Sequence, residues 1–190
     1  MRVTLIAVFS LVAGTAFAQM NPSSPGSSAT NPQETTSGQN KSQAGGMMSK
    51  ADQEFVNQAA EANMADIKLG ELGVKKGSTA DVRRMGQMII DDHKKVGDKL
   101  QSIATRENVS LPTQANAEQR ATYDRLSAMS GTEFDRAFLD ELKTSHDQAI
   151  SLFQKESQSG SDPQLKSFAQ STLPSLRHHQ QMVNRQVNKM

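Results

Sequence analysis

Apolar residues recur every three or four positions through most of the chain after residue 51, which is the spacing of one helix face. This pattern predicts four long helices, at 52–76, 79–107, 130–157 and 162–187. Each has about 25 residues and is therefore about 38 Å long. No run of alternating apolar and polar residues predicts a strand. Since helices of equal length bury their apolar stripes against each other, the sequence predicts an all-α four-helix bundle.

Local signals mark the ends of these helices. Ser78 with Asp81, and Ser130 with Glu133, resemble capping boxes. Pro163 stands at the first position of the last helix. A shorter helix is predicted within 115–129, in the long connection between the second and third long helices. That connection either crosses the bundle or packs beside it, and the pattern leaves both open.

The first fifty residues lack this helical pattern. Arg2, an apolar run over 3–12 and the sequence Ala16-Phe17-Ala18 predict a secretory signal peptide at 1–18. An uncleaved anchor is the alternative interpretation of the same run. Residues 19–50 contain no Leu, Ile, Val or Phe and are rich in Ser, Gly, Asn and Pro, which predicts a disordered tail before a domain at 51–190. We therefore expect export to the periplasm, with outer-membrane association or secretion as alternatives, and no transmembrane segment after cleavage.

Charge and composition reduce the number of functional classes to which the protein can belong. Lys and Arg number 21 and Asp and Glu number 20, so removal of Arg2 with the signal peptide leaves the mature chain neutral. This balance does not favour nucleic acid as a partner. The absence of cysteine excludes disulfides, thiol catalysis and cysteine zinc sites. No nucleophile–base pair or phosphate-binding glycine loop is recognisable, so an enzyme is not the expected class.

Four polar residues interrupt the apolar stripes of the long helices. They are Asp66, His93, His146 and His179, one on each helix and each near the middle of it. A residue at the middle of a helix keeps its depth in a bundle whichever way the helix runs. The four are therefore expected in one layer, where three imidazoles and a carboxylate suit a single zinc, copper or iron ion. The alternative is a buried polar network without metal.

Two further carboxylates are candidates for orienting these ligands. Asp92 precedes His93, and Asp135 lies on the stripe of the third long helix. For Asp92 the alternative is a surface ion pair with Lys95 or Lys99.

Three segments together resemble a known family. They are the run 87–93, the run 131–136 with His146, and the run 173–179. The set resembles the bacterial domain-of-unknown-function family 4142 over about residues 52–187. The resemblance implies a ferritin-like four-helix fold and a location in the cell envelope, and it implies no established activity. Ferritin-like di-iron sites use Glu-x-x-His, whereas Ile90, Lys143 and Leu176 stand three residues before the histidines here, so a mononuclear histidine-rich site fits better.

Three functional hypotheses follow, in this order. The first is a non-enzymatic periplasmic bundle, protective under envelope stress, whose histidine layer is structural. The second is a metal-binding bundle for storage, sequestration or redox protection. The third is a metal-dependent enzyme. An envelope protein partner and a homo-oligomer both remain open.

Overall fold

The structure is a computed structural model that describes residues 48–190. The predicted signal peptide and tail up to residue 47 lie outside the described residues. Within the described part the chain forms five helices and no strand: α1 (Lys50–Lys76), α2 (Ala80–Arg106), α3 (Ala117–Ser127), α4 (Gly131–Ser159) and α5 (Pro163–Val187). The predicted all-α fold with four long helices and one short helix is confirmed.

The ends of the helices differ from the prediction in three places. Ser49 caps α1 by accepting a hydrogen bond from the Asp52 backbone N–H, and Met48 packs on the core, so residues 48–50 belong to the bundle and not to the tail. Thr79 caps α2 in place of Ser78. Ser130 precedes α4 but its side chain makes no capping hydrogen bond.

Contacts between α1 and α4 fix the direction of the chain. The rings of Phe55 and Phe153 are 5.1 Å apart at one end, and at the other end Phe138 fills the space where Gly73 has no side chain. The helix α4 is thus antiparallel to α1 and parallel to α2. The connection at 107–130 must therefore run the length of the bundle, which is the ferritin-like topology. The sequence left open whether this connection crosses the bundle or packs beside it. It does both, since α3 lies within the crossover and packs beside α1.

The core consists of two apolar clusters separated by a polar layer. One cluster contains Phe55, Val56, Leu100, Phe153, Leu165 and Phe168, and the other contains Leu72, Met85, Ile89, Phe134, Phe138, Leu142 and Val183. On each long helix the chain passes from one cluster to the other through a buried polar residue. These residues are Asn63, Asp66, His93, His146 and His179.

The two helical hairpins, α1–α2 and α4–α5, repeat one pattern. Equivalent residues are 83 positions apart: Asp52 with Asp135, Phe55 with Phe138, Asn63 with His146, Gly77 with Gly160, and Ser78 with Ser161. Each hairpin thus presents a buried aspartate near its start and a Gly-Ser turn between its helices. The two hairpins thus share a partial sequence repeat as well as the same order of helix, turn and helix.

Each buried aspartate holds the turn of the opposite hairpin. Asp52 accepts hydrogen bonds from the backbone N–H groups of Ser161 and Asp162, at 2.9 and 3.1 Å. Asp135 accepts from the N–H and hydroxyl of Ser78, at 2.9 and 2.5 Å. The prediction that Asp135 orients a histidine is therefore wrong. It lies eleven residues before His146 on α4, about 16 Å along the axis, so it acts at the end of the bundle.

Replacement of Asp135 by alanine is expected to destabilise the fold. The change leaves the Ser78 N–H without its acceptor, and hydrogen bonds to a charged group contribute about 1.5–3 kcal/mol each. We expect the free energy of unfolding in urea to fall by about 2–3 kcal/mol. The exposed Asp140 on the same helix is the control, and Asp140→Ala should change this quantity by less than about 0.5 kcal/mol. Equal effects of the two substitutions would contradict the assigned role.

Candidate metal centre

The three buried histidines come together in the polar layer. His93 on α2, His146 on α4 and His179 on α5 have ring centroids 5.4–5.6 Å apart. Each side chain is at least 95% buried. One nitrogen of each ring lies within 4.8 Å of the corresponding nitrogens of the other two. The structure thus brings together three of the four predicted ligands.

The outer nitrogen of each ring contacts an oxygen of a neighbouring residue. The contacts are His146 Nδ1 to the Leu142 carbonyl at 2.9 Å, His179 Nε2 to an Asp92 carboxylate oxygen at 3.1 Å, and His93 Nδ1 to the Asn63 amide oxygen at 3.2 Å. These oxygens accept hydrogen bonds and do not donate them, so each outer nitrogen carries the hydrogen. In a neutral imidazole the other nitrogen then has a lone pair.

The inner nitrogens therefore present three lone pairs to one another. His146 Nε2 and His179 Nδ1 are 3.3 Å apart, and in these tautomers neither has a hydrogen to donate. His93 Nε2 is buried and has no hydrogen-bond partner among the described residues. A buried polar atom of this kind needs a partner, and three converging lone pairs need an electron-poor one. Tetrahedral zinc with Zn–N bonds of 2.0–2.1 Å places its nitrogen ligands about 3.3–3.4 Å apart, which is the separation of His146 and His179.

Burial favours the neutral form of the His93 and His179 rings. Desolvation lowers the pKa of His93 to about 4, against the opposing attraction of the Asp66 carboxylate. Burial also lowers the pKa of His179, although its contact with Asp92 opposes this shift. Neutral imidazole is the form that binds metal.

Asp66 is a predicted ligand, but the structure places it behind the rings. One carboxylate oxygen is 3.8 Å from the outer nitrogen of His93, and the other accepts a hydrogen bond from the Ser145 hydroxyl at 2.9 Å. The short side chain reaches the outer edge of the His93 ring and not the space between the rings. Asp66 therefore adds negative charge beside His93 without joining the group of ligand atoms.

Both alternatives considered for Asp92 are present. One oxygen contacts His179 and the other accepts a hydrogen bond from Lys95 at 2.9 Å. Asp92 thus orients His179 while sitting at the surface of the bundle, with 36% of its side chain exposed.

Asn63 is a residue of the site that the sequence pattern did not reveal. It lies on α1 three residues before Asp66 and supplies the acceptor for His93. The available signal was Gly97, a glycine in the middle of a helix, one turn after His93. A Cβ at Gly97 would lie 2.8 Å from the Asn63 amide nitrogen, so the glycine makes room for this side chain.

Fold and site together define a ferritin-like helical bundle with a buried trihistidine cluster in its core. The family model described as "Domain of unknown function (DUF4142)" matches residues 37–185, and the chain belongs to this family. A search of the curated proteins found no match. Within the described residues, no helix combines the length and apolar character needed to cross a bilayer.

One solved structure shares the fold. The "Crystal structure of DUF305 fragment from Deinococcus radiodurans" matches with a TM-score of 0.68 and 12% sequence identity, over 76% of this chain and 100% of that chain. At this identity the likeness concerns the helical fold alone.

The hydrogen bonds predict which nitrogen of each ring carries the hydrogen. In the metal-free protein, above the ordinary imidazole pKa of about 6.5, His93 and His146 should be protonated at Nδ1 and His179 at Nε2. Long-range ¹H–¹⁵N correlation spectra of the labelled protein distinguish the two tautomers, with the exposed His178 as a reference. Finding His146 protonated at Nε2 would contradict the inward-facing lone pairs.

Proposed function

We propose that this protein binds one divalent transition-metal ion through His93, His146 and His179. The observation that supports the proposal most is the inward convergence of three imidazole lone pairs, one of them on a buried nitrogen without a partner. A structural polar network would normally satisfy such atoms with each other. Here the outer nitrogens are satisfied and the inner ones are not.

The surrounding charges suit a dication. Asp66 lies beside the outer edge of His93, and Asp92 contacts the outer nitrogen of His179. Carboxylates in these positions orient ligating imidazoles and make them more basic. Three neutral rings with two nearby carboxylates offset the charge of a divalent ion, which reduces the cost of burying it.

Zinc is the first ion to test, because one of the three nitrogen–nitrogen separations fits tetrahedral zinc and all three are within 4.8 Å. The 3.3 Å separation of two ligand nitrogens matches tetrahedral Zn²⁺, and three histidines leave a fourth position for water or another ligand. Copper and iron also bind imidazole, so they are the competing ions. Ile90, Lys143 and Leu176 stand three residues before the histidines, so the Glu-x-x-His motifs of a di-iron site are absent, and the first helix offers the shorter Asp66 in place of a Glu.

The cellular part of the proposal rests on the sequence of residues 1–18. An exported bundle that sequesters a metal ion would protect the cell envelope without catalysing a reaction. Sequencing of the mature N-terminus, expected at Gln19, tests the export.

Metal binding is tested by titration of the chelator-treated protein with Zn²⁺. We expect one ion per chain, and a melting temperature that rises with free Zn²⁺, since ligand at 100 times its Kd adds about 2.7 kcal/mol of stability. His146→Ala, and the triple substitution of the three histidines by alanine, should abolish binding. His178→Ala removes an exposed neighbouring imidazole and should leave the stoichiometry at one.

Parallel titrations with Cu²⁺ and Fe²⁺ identify the preferred ion. Circular dichroism of each variant establishes that it remains helical. A wild-type chain that binds none of the three ions, and whose melting is unchanged by Zn²⁺ or chelator, would make the histidine layer a structural network and overturn the proposal.

A further inference from the structure

A cavity of about 250 Å³ lies between α1, α3 and α4, against the back of the histidine layer. Three carboxylates, from Glu61, Asp66 and Glu141, line it together with amide and hydroxyl side chains. No basic residue is among the described residues that line it. The cavity is therefore acidic, although alanine and leucine side chains also line it.

Asp66 and Ser145 are the lining residues that contact the histidines. Asp66 is only 2% exposed, and one of its oxygens accepts no hydrogen bond among the described residues. That oxygen is 3.8 Å from His93 Nδ1, and the Ser145 hydroxyl is 3.3 Å from His146 Nδ1. Both contacts are made to the outer nitrogens of His93 and His146. The rings of these two histidines therefore lie between the cavity and the inner nitrogens that carry the lone pairs.

The other two carboxylates are closer to solvent. Glu61 is half-buried and contacts the side chain of Asn116, the residue that caps α3, at 3.4 Å. Glu141 is 3.6 Å from the Arg125 guanidinium. Burial raises the pKa of Glu141, and the negative charge of Asp66 acts in the same direction while Arg125 opposes it. The Arg125 guanidinium therefore does not fully offset the effects of burial and of neighbouring negative charge on Glu141.

We infer that this cavity is the port through which the metal ion reaches and leaves the three histidines, with Asp66 as the carboxylate that holds it in transit. The inference rests on the proposed metal binding. The cation is attracted by Glu61 and Glu141, desolvated against Asp66, and taken up by His93 and His146. On this side His93 makes a single hydrogen bond, to Asn63, and the proposed uptake requires its ring to turn about this contact.

The opposite approach to the centre is less favourable for a cation. There Asp92 is the carboxylate nearest solvent, but one of its oxygens is occupied by the Lys95 ammonium at 2.9 Å. A cation arriving at Asp92 meets this positive charge, whereas on the cavity side Arg125 is paired with Glu141 alone and Asp66 faces no Lys or Arg side chain among the described residues. The difference in charge favours the route beside α3.

The test measures the rates of metal exchange as well as the affinity. In the double variant Glu61→Gln/Glu141→Gln, stopped-flow mixing with Zn²⁺ and a zinc-responsive dye should show association slowed about tenfold, because an acidic cleft raises the local cation concentration. Transfer to a chelator should show dissociation slowed to a similar extent, because the ion leaves by the same route. Because the Kd is the ratio of the dissociation rate to the association rate, and both rates fall to a similar extent, the Kd should change by less than about threefold.

The control is Asp91→Asn/Asp98→Asn, which removes two exposed carboxylates from α2, a helix that does not line the cavity. It changes the net charge equally and should leave both rates near those of the wild type. Unchanged rates in the glutamate variant would overturn the port, as would faster dissociation with a weakened Kd, which would make the glutamates ligands. If the wild-type chain takes up no Zn²⁺, both the port and the metal centre are overturned. If Zn²⁺ binds but the rates behave in either of the two contradicting ways, only the port is overturned.

Discussion

Three imidazole rings buried between two apolar clusters are the constraint on which the rest of the structure depends. A polar atom removed from water must find a partner or cost the fold free energy. The helices satisfy one of the two nitrogens of each ring, since Leu142, Asn63 and Asp92 each accept a hydrogen bond from an outer nitrogen. Because these hydrogen bonds use the outer nitrogens, the lone pairs of the inner nitrogens point toward one another and lack a partner. A bound metal ion would be that partner. The outer contacts and the proposed ion are thus two parts of one solution to the burial of the rings.

The alignment of this layer is set at the ends of the bundle. If one hairpin shifted along the other by a single helical turn, His146 and His179 would be displaced by about 5 Å along the bundle axis relative to His93. The reciprocal contacts of Asp52 and Asp135 with the opposite turns oppose such a shift at both ends. Because the two aspartates occupy equivalent positions in the repeated hairpins, one structural device is used twice. Residues far from the centre therefore contribute to its geometry through the register of the helices.

The sequence was sufficient to predict the features that depend on periodicity. Helix spans followed from the apolar stripes, and the convergence of His93, His146 and His179 followed from their mid-helix positions, which fix depth whatever the topology. The prediction was poorer wherever the reach of a side chain decided the outcome. Asp66 and Asp135 both lie on core-facing stripes, yet one ends behind a ring and the other at a distant turn. Asn63 was missed because it depends on the space left by Gly97, which is a property of two packed helices and not of either pattern alone.

The arrangement of charge separates this centre from the di-iron sites built on the same topology. Those sites place carboxylates on the metals themselves, with Glu-x-x-His motifs on facing helices. Here Ile90, Lys143 and Leu176 occupy the corresponding positions, and the carboxylates of Asp66 and Asp92 lie at the outer edges of the rings. The candidate ligand atoms are consequently all imidazole nitrogens, and the carboxylate charge lies outside them. Such a set would favour one ion that prefers imidazole over a pair of ions bridged by oxygen, so the metal chemistry proposed for this chain differs from that of di-iron sites on the same fold.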